Sequence, residues 1–110
     1  MELNLTTGER YSTIALGGRF TASGAPRFRA AVQDLVQSGH ANIVIDLAGT
    51  TFIDSSALGA LIGGLKASRT AGGDLRIAGL TDPVRSVLRL TNLDRVLREY
   101  PDPASAFDQS

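Results

Sequence analysis

The chain has 110 residues, with 11 Lys+Arg against 11 Asp+Glu and no cysteine. This length suits one domain, which we place over residues 1–110. The missing cysteines exclude a disulfide framework, a Cys-ligated zinc site and thiol catalysis, and a single histidine excludes sites that need two imidazoles. Formal neutrality argues against nucleic acid as the main partner, and no apolar run approaches the roughly 20 residues of a membrane span. The first residues lack the basic and apolar stretches of a signal peptide, so we expect a cytoplasmic protein with no direct membrane insertion.

The first two elements are predicted to be the strands of a β-hairpin. Residues 2–6 alternate apolar and polar side chains, and residues 11–16 are rich in β-branched and apolar types. A turn over residues 7–10 joins them, and Gly17-Gly18 is predicted to end the second strand.

The third element is predicted to be an amphipathic helix. Ser23 is its expected N-cap, Pro26 fits the first turn, and Gly39 is a natural stop. Its apolar residues have the spacing of one buried stripe: Phe28, Ala31, Val32, Leu35 and Val36.

Strands and helices alternate through the rest of the chain. The near-continuous apolar run at residues 42–47 predicts a strand covered on both faces. The later predicted elements are a helix at 55–70, a strand at 74–78, a helix from Thr81-Asp82-Pro83, a strand at 95–100 and a helix at 103–109. The order β-β-α-β-α-β-α-β-α predicts an α/β fold: a mixed central sheet of four to five strands flanked by about four helices.

The most informative segment joins the third strand to the second helix. Phe52 and Ile53 are expected in a loop, and Asp54 or Ser55 can cap the first turn of the helix. One set of helical positions centres on the core direction: Leu58, Leu61, Ile62 and Leu65. The opposite direction carries small residues, predicted to form a strip on the solvent face: Ser56, Ala60, Gly63 and Ala67.

The second helix contains three glycines, Gly59, Gly63 and Gly64. Each costs up to about 1 kcal/mol of helix stability relative to alanine, so something should compensate. One interpretation is close packing of the helix on the sheet, particularly at Gly59. The other is that Gly63, with Ala60 and Ala67, lets a partner approach closely beside Ser56.

Ser56 itself has two interpretations. A hydroxyl in the first turn can carry a phosphate of about −1.5 to −2 charges near the positive end of the helix dipole. The added charge would spare the fold and spoil an apolar partner surface laid across it. Alternatively, Ser55 and Ser56 are only capping residues.

Two segments together carry a family resemblance. Ile43-Val44-Ile45-Asp46-Leu47 is followed by Phe52-Ile53-Asp54-Ser55-Ser56-Ala57-Leu58-Gly59. They resemble the STAS domain of bacterial anti-sigma factor antagonists. The resemblance covers nearly the whole chain, including the order of elements, the turn at Gly72-Gly73 and the helix start at Pro83-Val84.

The resemblance implies a partner-switching regulator of transcription, used in responses such as stress, rather than an enzyme. Unphosphorylated members bind an anti-sigma factor, usually a serine kinase of the histidine-kinase-like ATPase fold, and so release a sigma factor. The kinase phosphorylates a serine that matches Ser56, and a serine phosphatase resets it. ATP belongs to the kinase, so no cofactor is assigned to this chain. The implied partner-binding residues are Asp54, Ser55, Ser56, Ala57, Gly59, Ala60, Gly63, Ala67, Arg19 and Thr21.

The sequence departs from the family pattern at two places. The family often has Gly-Glu-Leu-Asp after the second strand, whereas this chain has Gly18-Arg19-Phe20-Thr21, so both acidic positions are lost. Ala57 replaces a more usual glycine. We expect Arg19 and Thr21 at the rim of the binding surface, where the first departure bears on which kinase pairs with the chain.

Other chemistries are weaker candidates. A serine nucleophile would need a general base, and His40 is expected in a solvated loop. Asp46 and Asp54 lack the further oxygen ligands of a metal site. The late arginines, Arg85, Arg89, Arg95 and Arg98, are better explained by a solvated face or ion pairs than by nucleic-acid binding.

Two alternatives to the phosphorylated switch stay open. The chain could be a STAS subunit that binds an ATPase of a lipid or anion transport system, or a stress-signalling scaffold, without phosphate turnover. A small hydrolase or nucleotide-binding enzyme is the other, although no phosphate-binding Gly-x-x-x-x-Gly-Lys-(Ser/Thr) loop is present.

Overall fold

The backbone alternates strands and helices in the predicted order. The computed structural model describes residues 1–108. The strands are β1 Glu2–Thr7, β2 Ser12–Phe20, β3 Asn42–Ile53, β4 Asp74–Ala78 and β5 Glu99–Tyr100. The helices are α1 Ala25–Gln37, α2 Ser55–Thr70, α3 Asp82–Leu90 and α4 Pro103–Ala106, with a 3₁₀ turn at Leu93–Arg95. The helices of residues 1–108 include no apolar segment of membrane-spanning length.

The five strands form one mixed sheet in the order β1-β2-β3-β4-β5. β1 pairs antiparallel with β2, and the other neighbours pair in parallel. The predicted hairpin and the α/β fold class are therefore confirmed. Because β2, β3 and β4 run parallel, the segments that lead into α1, α2 and α3 all leave the same edge of the sheet. That edge carries the candidate site.

The sheet is covered unequally on its two faces. One face packs on α1, α2 and α3 through a continuous apolar core, which includes Ile14, Ile43, Ile45, Phe28, Val32, Leu61, Val84 and Leu88. The other face is covered in part by α4, whose Ala106 and the following Phe107 pack on Val44 and Ala78. Ile43, Val44 and Ile45 are all fully buried, so the prediction of a strand covered on both faces is confirmed.

Two strand boundaries differ from the prediction. β2 does not end at Gly17-Gly18 but continues through both glycines to Phe20, with irregular register against β3 on either side of them. Glycine at position 18 allows this, because its φ of 82° is a left-handed conformation that glycine adopts without steric cost. β3 likewise runs on to Ile53, so Phe52 and Ile53 belong to a strand and not to a loop.

The start of α1 also differs from the prediction. Gly24 is the N-cap and makes no side-chain cap hydrogen bond. Ser23 is not the cap, because its hydroxyl instead shares a hydrogen bond with the Thr21 hydroxyl at 3.1 Å. The carbonyl oxygen of Thr21 accepts hydrogen bonds from the N–H groups of Gly24 and Ala25, which forms a tight turn before the helix.

The C-terminal elements are shorter than predicted. Strand β5 contains only Glu99–Tyr100, because residues 93–95 form a 3₁₀ turn instead of a strand and Asn92 before them has φ 59°. Helix α4 ends at Ala106, and Gln109, the predicted helix end, lies outside the described residues.

Candidate functional site

Asp54 fixes the start of α2. It is the N-cap, and its Oδ1 accepts a hydrogen bond from the N–H of Ala57 at 2.9 Å. Its Oδ2 accepts a second hydrogen bond from the N–H of Ala22 at 3.0 Å, in the loop between β2 and α1. Its own N–H donates to the carbonyl of Phe20 at 3.2 Å. One carboxylate therefore ties α2 to the neighbouring loop. Of the two residues predicted as possible caps, Asp54 and Ser55, the cap is Asp54.

Ser55 and Ser56 occupy the first two positions of α2, and both are exposed. Neither hydroxyl makes a hydrogen bond to any residue within 1–108, because Asp54 supplies the cap. The interpretation of these two serines as capping residues is therefore wrong. The Ser56 hydroxyl is accessible to another protein and lies where the helix dipole favours negative charge.

The outward surface of α2 differs from the prediction at Ala60. Ser56, Gly59, Gly63 and Lys66 are exposed, but Ala60 is fully buried and Ala67 is half-buried against the core. Ala57 is fully buried as well. The reason is that α1 packs beside α2 and widens its buried arc towards the small residues. A fully buried Ala57 or Ala60 side chain cannot contact a partner directly.

The three helix glycines separate into two kinds. A Cβ at Gly64 would lie 3.0 Å from Leu75 and 3.5 Å from both Phe28 and Val32, so close packing explains this glycine. A Cβ at Gly59 or Gly63 would meet nothing within 4 Å, and both positions are exposed. Close packing within the chain therefore does not explain Gly59, contrary to one of the two interpretations.

Arg19 and Thr21 lie at the end of β2 and just after it. Arg19 is exposed, and its guanidinium carbon lies 4.4 Å from the centre of the Phe52 ring. Thr21 is half-buried in the turn before α1, next to Ala22, which is bonded to Asp54. The structure thus brings the β2 end and the α2 start together.

Phe52 is a surface residue that the sequence analysis did not select. It pairs with Arg19 in the β2–β3 register and is 40% exposed. Its exposure follows from strand alternation, since the adjacent Ile53 points into the core. Extending β3 to Ile53 at the sequence level would have revealed it.

The remaining candidates stay separate from this site. Asp46 lies eight residues before Asp54 on an extended strand, roughly 25 Å along the chain, and its Oδ1 accepts a hydrogen bond from the N–H of Ala48. No group of three metal-ligating side chains occurs within residues 1–108. Arg85 forms ion pairs with Glu99 and Asp82, and the Glu99 carboxylate raises the pKa of this arginine.

Comparisons with known proteins agree with this fold. The family model described as "Mlab, STAS domain" matches residues 4–99. The anti-sigma-B factor antagonist of Staphylococcus aureus is 27% identical over 95 residues, which cover 84% of this chain and 88% of the relative. The crystal structure of a Thermotoga maritima protein assigned as an anti-sigma factor antagonist is 25% identical with a TM-score of 0.89, over 97% of this chain and 92% of that one.

A more distant structure shows the same fold. SpoIIAA from Bacillus, solved in its phosphorylated form, is 19% identical with a TM-score of 0.76, over 98% of each chain. The family model covers most of the present sequence, from within β1 to β5. The chain therefore belongs to the STAS domain family.

Proposed function

We propose that this protein is an anti-sigma factor antagonist that is switched off by phosphorylation of Ser56. In its unphosphorylated form it binds an anti-sigma factor that is also a serine kinase, and this releases a sigma factor for transcription. A serine phosphatase restores the binding form. The observation that carries the proposal is the exposed Ser56 hydroxyl at the start of α2, next to outward positions without side chains at Gly59 and Gly63.

The α2 surface suits close approach by a protein partner. Gly59 and Gly63 follow Ser56 at intervals of three and four residues, which places all three on one side of a helix. Because neither glycine has a side chain, a partner backbone can lie directly against the helix. The helix-propensity cost of two exposed glycines, up to about 1 kcal/mol each, is consistent with a binding role.

A phosphate on Ser56 is compatible with the fold. The hydroxyl is exposed and makes no hydrogen bond within residues 1–108, so modifying it removes no contact. The positive end of the helix dipole favours the added charge, and both oxygens of Asp54 already accept backbone hydrogen bonds. The modified protein therefore keeps its structure, while its binding surface gains about two negative charges.

The relatives support the same assignment. The Staphylococcus aureus protein and the Thermotoga maritima structure are both anti-sigma factor antagonists by name, and SpoIIAA has been solved in a phosphorylated form. By analogy this chain acts in the bacterial cytoplasm by binding and performs no catalysis, with ATP held by its kinase partner.

Intact-mass analysis with peptide mapping tests the proposal. The protein is incubated with ATP and each purified serine kinase of the histidine-kinase-like ATPase fold from its own source. We expect one added phosphate, located on Ser56, absent from Ser56→Ala and retained in the matched control Ser55→Ala. No phosphate with any such kinase, together with a stable complex with a transport ATPase or a scaffold protein, would favour the unphosphorylated STAS subunit instead.

A further inference from the structure

Arg19 and Phe52 form an exposed cation–π pair at the edge of the sheet where α2 begins. The two residues are directly opposite each other on β2 and β3, with the guanidinium 4.4 Å from the ring centre. Arg19 has no ion pair and no side-chain hydrogen bond among the described residues, and Phe52 is 40% exposed. An arginine that is held in place on a ring and has no anionic partner is ready to bind an anion.

The pair lies within the reach of a partner centred on Ser56. The residue after Arg19, Phe20, accepts the hydrogen bond from the backbone of Asp54, two residues before Ser56. A typical protein interface of about 800 Å² per partner is roughly 30 Å across. Arg19 and Ser56 therefore lie close together at the carboxyl ends of β2 and β3, within one footprint of that size. Because Phe20 and Ile53 point into the core, the Arg19–Phe52 pair faces the side of the sheet away from α2, and the partner reaches it across this end of the sheet.

Little negative charge competes for Arg19 on this part of the surface. Asp54 keeps its negative charge, but its two oxygens are held by the N–H groups of Ala57 and Ala22, and it forms no ion pair with Arg19 within residues 1–108. Glu2 lies over Gly17 on the neighbouring strand but forms no ion pair with Arg19 within residues 1–108. At the far end of the exposed α2 side, Lys66 adds a second cation.

From this charge arrangement we propose that the Arg19–Phe52 pair selects the partner of this protein, by binding a carboxylate side chain on the partner surface. The inference rests on the proposed function and specifies the chemistry of its partner: an acidic residue faces β2, beside the segment that contacts α2. Phe52 holds the planar guanidinium in place, so less side-chain freedom is lost when the ion pair forms. Arginine and aromatic residues are also the types that dominate interface energetics.

The test measures the affinity of charge variants for the purified kinase that phosphorylates Ser56. The variants are Arg19→Glu, Arg19→Ala and Arg19→Lys, and the matched control is Arg95→Glu. Arg95 is an exposed arginine that precedes β5, which lies two strands away from β3 in the sheet, so its replacement changes the net charge equally but away from the site. Dissociation constants are measured at 50 and 300 mM NaCl, and each variant is checked for its melting temperature.

We expect Arg19→Glu to weaken binding by about 100-fold, because a carboxylate then faces a carboxylate. Arg19→Ala should weaken it about tenfold and reduce its salt dependence. The affinity of Arg19→Lys should lie between those of the parent and Arg19→Ala, because lysine keeps the charge but cannot stack a planar group on the Phe52 ring. The dissociation constant of the control Arg95→Glu should stay within threefold of that of the parent.

Two results would overturn the inference. If the kinase binds Arg19→Glu within threefold of the parent, or if Arg95→Glu weakens binding as much as Arg19→Glu, the pair does not select the partner. The proposed function survives either result. If no kinase of this class binds or phosphorylates the parent, the proposed function and the inference fail together. If Arg19→Glu does not fold, Arg19→Ala tests the inference instead: an affinity and a salt dependence equal to those of the parent would overturn it.

Discussion

At the scale of single residues, Asp54 organises the candidate site by using its two oxygens for two different segments. Its cap on Ala57 is a local interaction, which an acidic residue just before a helix predicts from sequence alone. Its hydrogen bond from Ala22 joins residues 32 positions apart, so no local pattern could reveal it. The same distinction holds for Arg19, whose contact with Phe52 depends on the register of two strands.

Substitution of Asp54 separates these two interactions. We expect Asp54→Ala to lower the free energy of unfolding by about 1–2 kcal/mol, because it removes the α2 cap and the tie to Ala22. Asp54→Asn should cost less, since the amide oxygen can still cap the helix while the amide nitrogen cannot accept from Ala22. Urea denaturation measures both effects.

The matched control for this prediction is Asp102→Ala. Asp102 caps the short helix α4 through the N–H of Ser105 at 2.9 Å and makes no second side-chain hydrogen bond in the described chain. If Asp54→Ala destabilises the protein no more than Asp102→Ala does, the hydrogen bond from Ala22 adds nothing to stability beyond the helix cap.

At the scale of elements, α2 shows what helical periodicity can and cannot predict. Its bounds, Ser55–Thr70, agree with the predicted range because capping residues and glycines delimit the helix. The sequence predicts too few buried residues on α2. Periodicity shows the direction in which the largest side chains point, but it does not show how many other elements pack against the helix. With α1 packed beside it, α2 also buries Ala57, Ala60 and Gly64.

A pair of arginine substitutions tests this assignment of faces. Gly63→Arg should keep the melting temperature near that of the parent, because the position is open and arginine favours a helix more than glycine does. It should still weaken binding to the kinase, because a long charged side chain covers the exposed surface. Ala60→Arg should destabilise the fold by several kcal/mol, because it buries an uncompensated charge.

Thermal denaturation followed by circular dichroism measures the melting temperatures of the two variants. A melting temperature of Ala60→Arg within a few degrees of that of Gly63→Arg would show that Ala60 faces solvent. If the folded Gly63→Arg variant binds the kinase as tightly as the parent does, the partner does not contact this exposed side of α2.

At the scale of the whole molecule, the site lies at the edge of the sheet where the parallel strands end, while α4 covers part of the face away from α1, α2 and α3. The sequence was sufficient to predict the order of elements and the mixed sheet, since apolar patterns, prolines and glycines mark each segment. It was insufficient at Gly17-Gly18, because glycines that usually end a strand here let β2 continue through a backbone irregularity, with φ 82° at Gly18.

The architecture is compatible with the proposed switch by one phosphate, which requires no change of fold. The Ser56 hydroxyl is exposed and α2 is held in place by Asp54 and a continuous core. Phosphorylation therefore changes the charge of the surface and leaves the packing intact. In the proposed function, regulation then depends on the different affinities of the partner for the two forms.

The central claim is tested most directly by the affinity of the kinase for the unphosphorylated and the Ser56-phosphorylated protein, measured by calorimetry on samples of identical circular dichroism. The account predicts that phosphorylation weakens binding by about 100-fold, equivalent to roughly 3 kcal/mol, because uncompensated charge enters the interface. Equal affinities within threefold would contradict it, since Ser56 would then carry a phosphate that the partner does not detect.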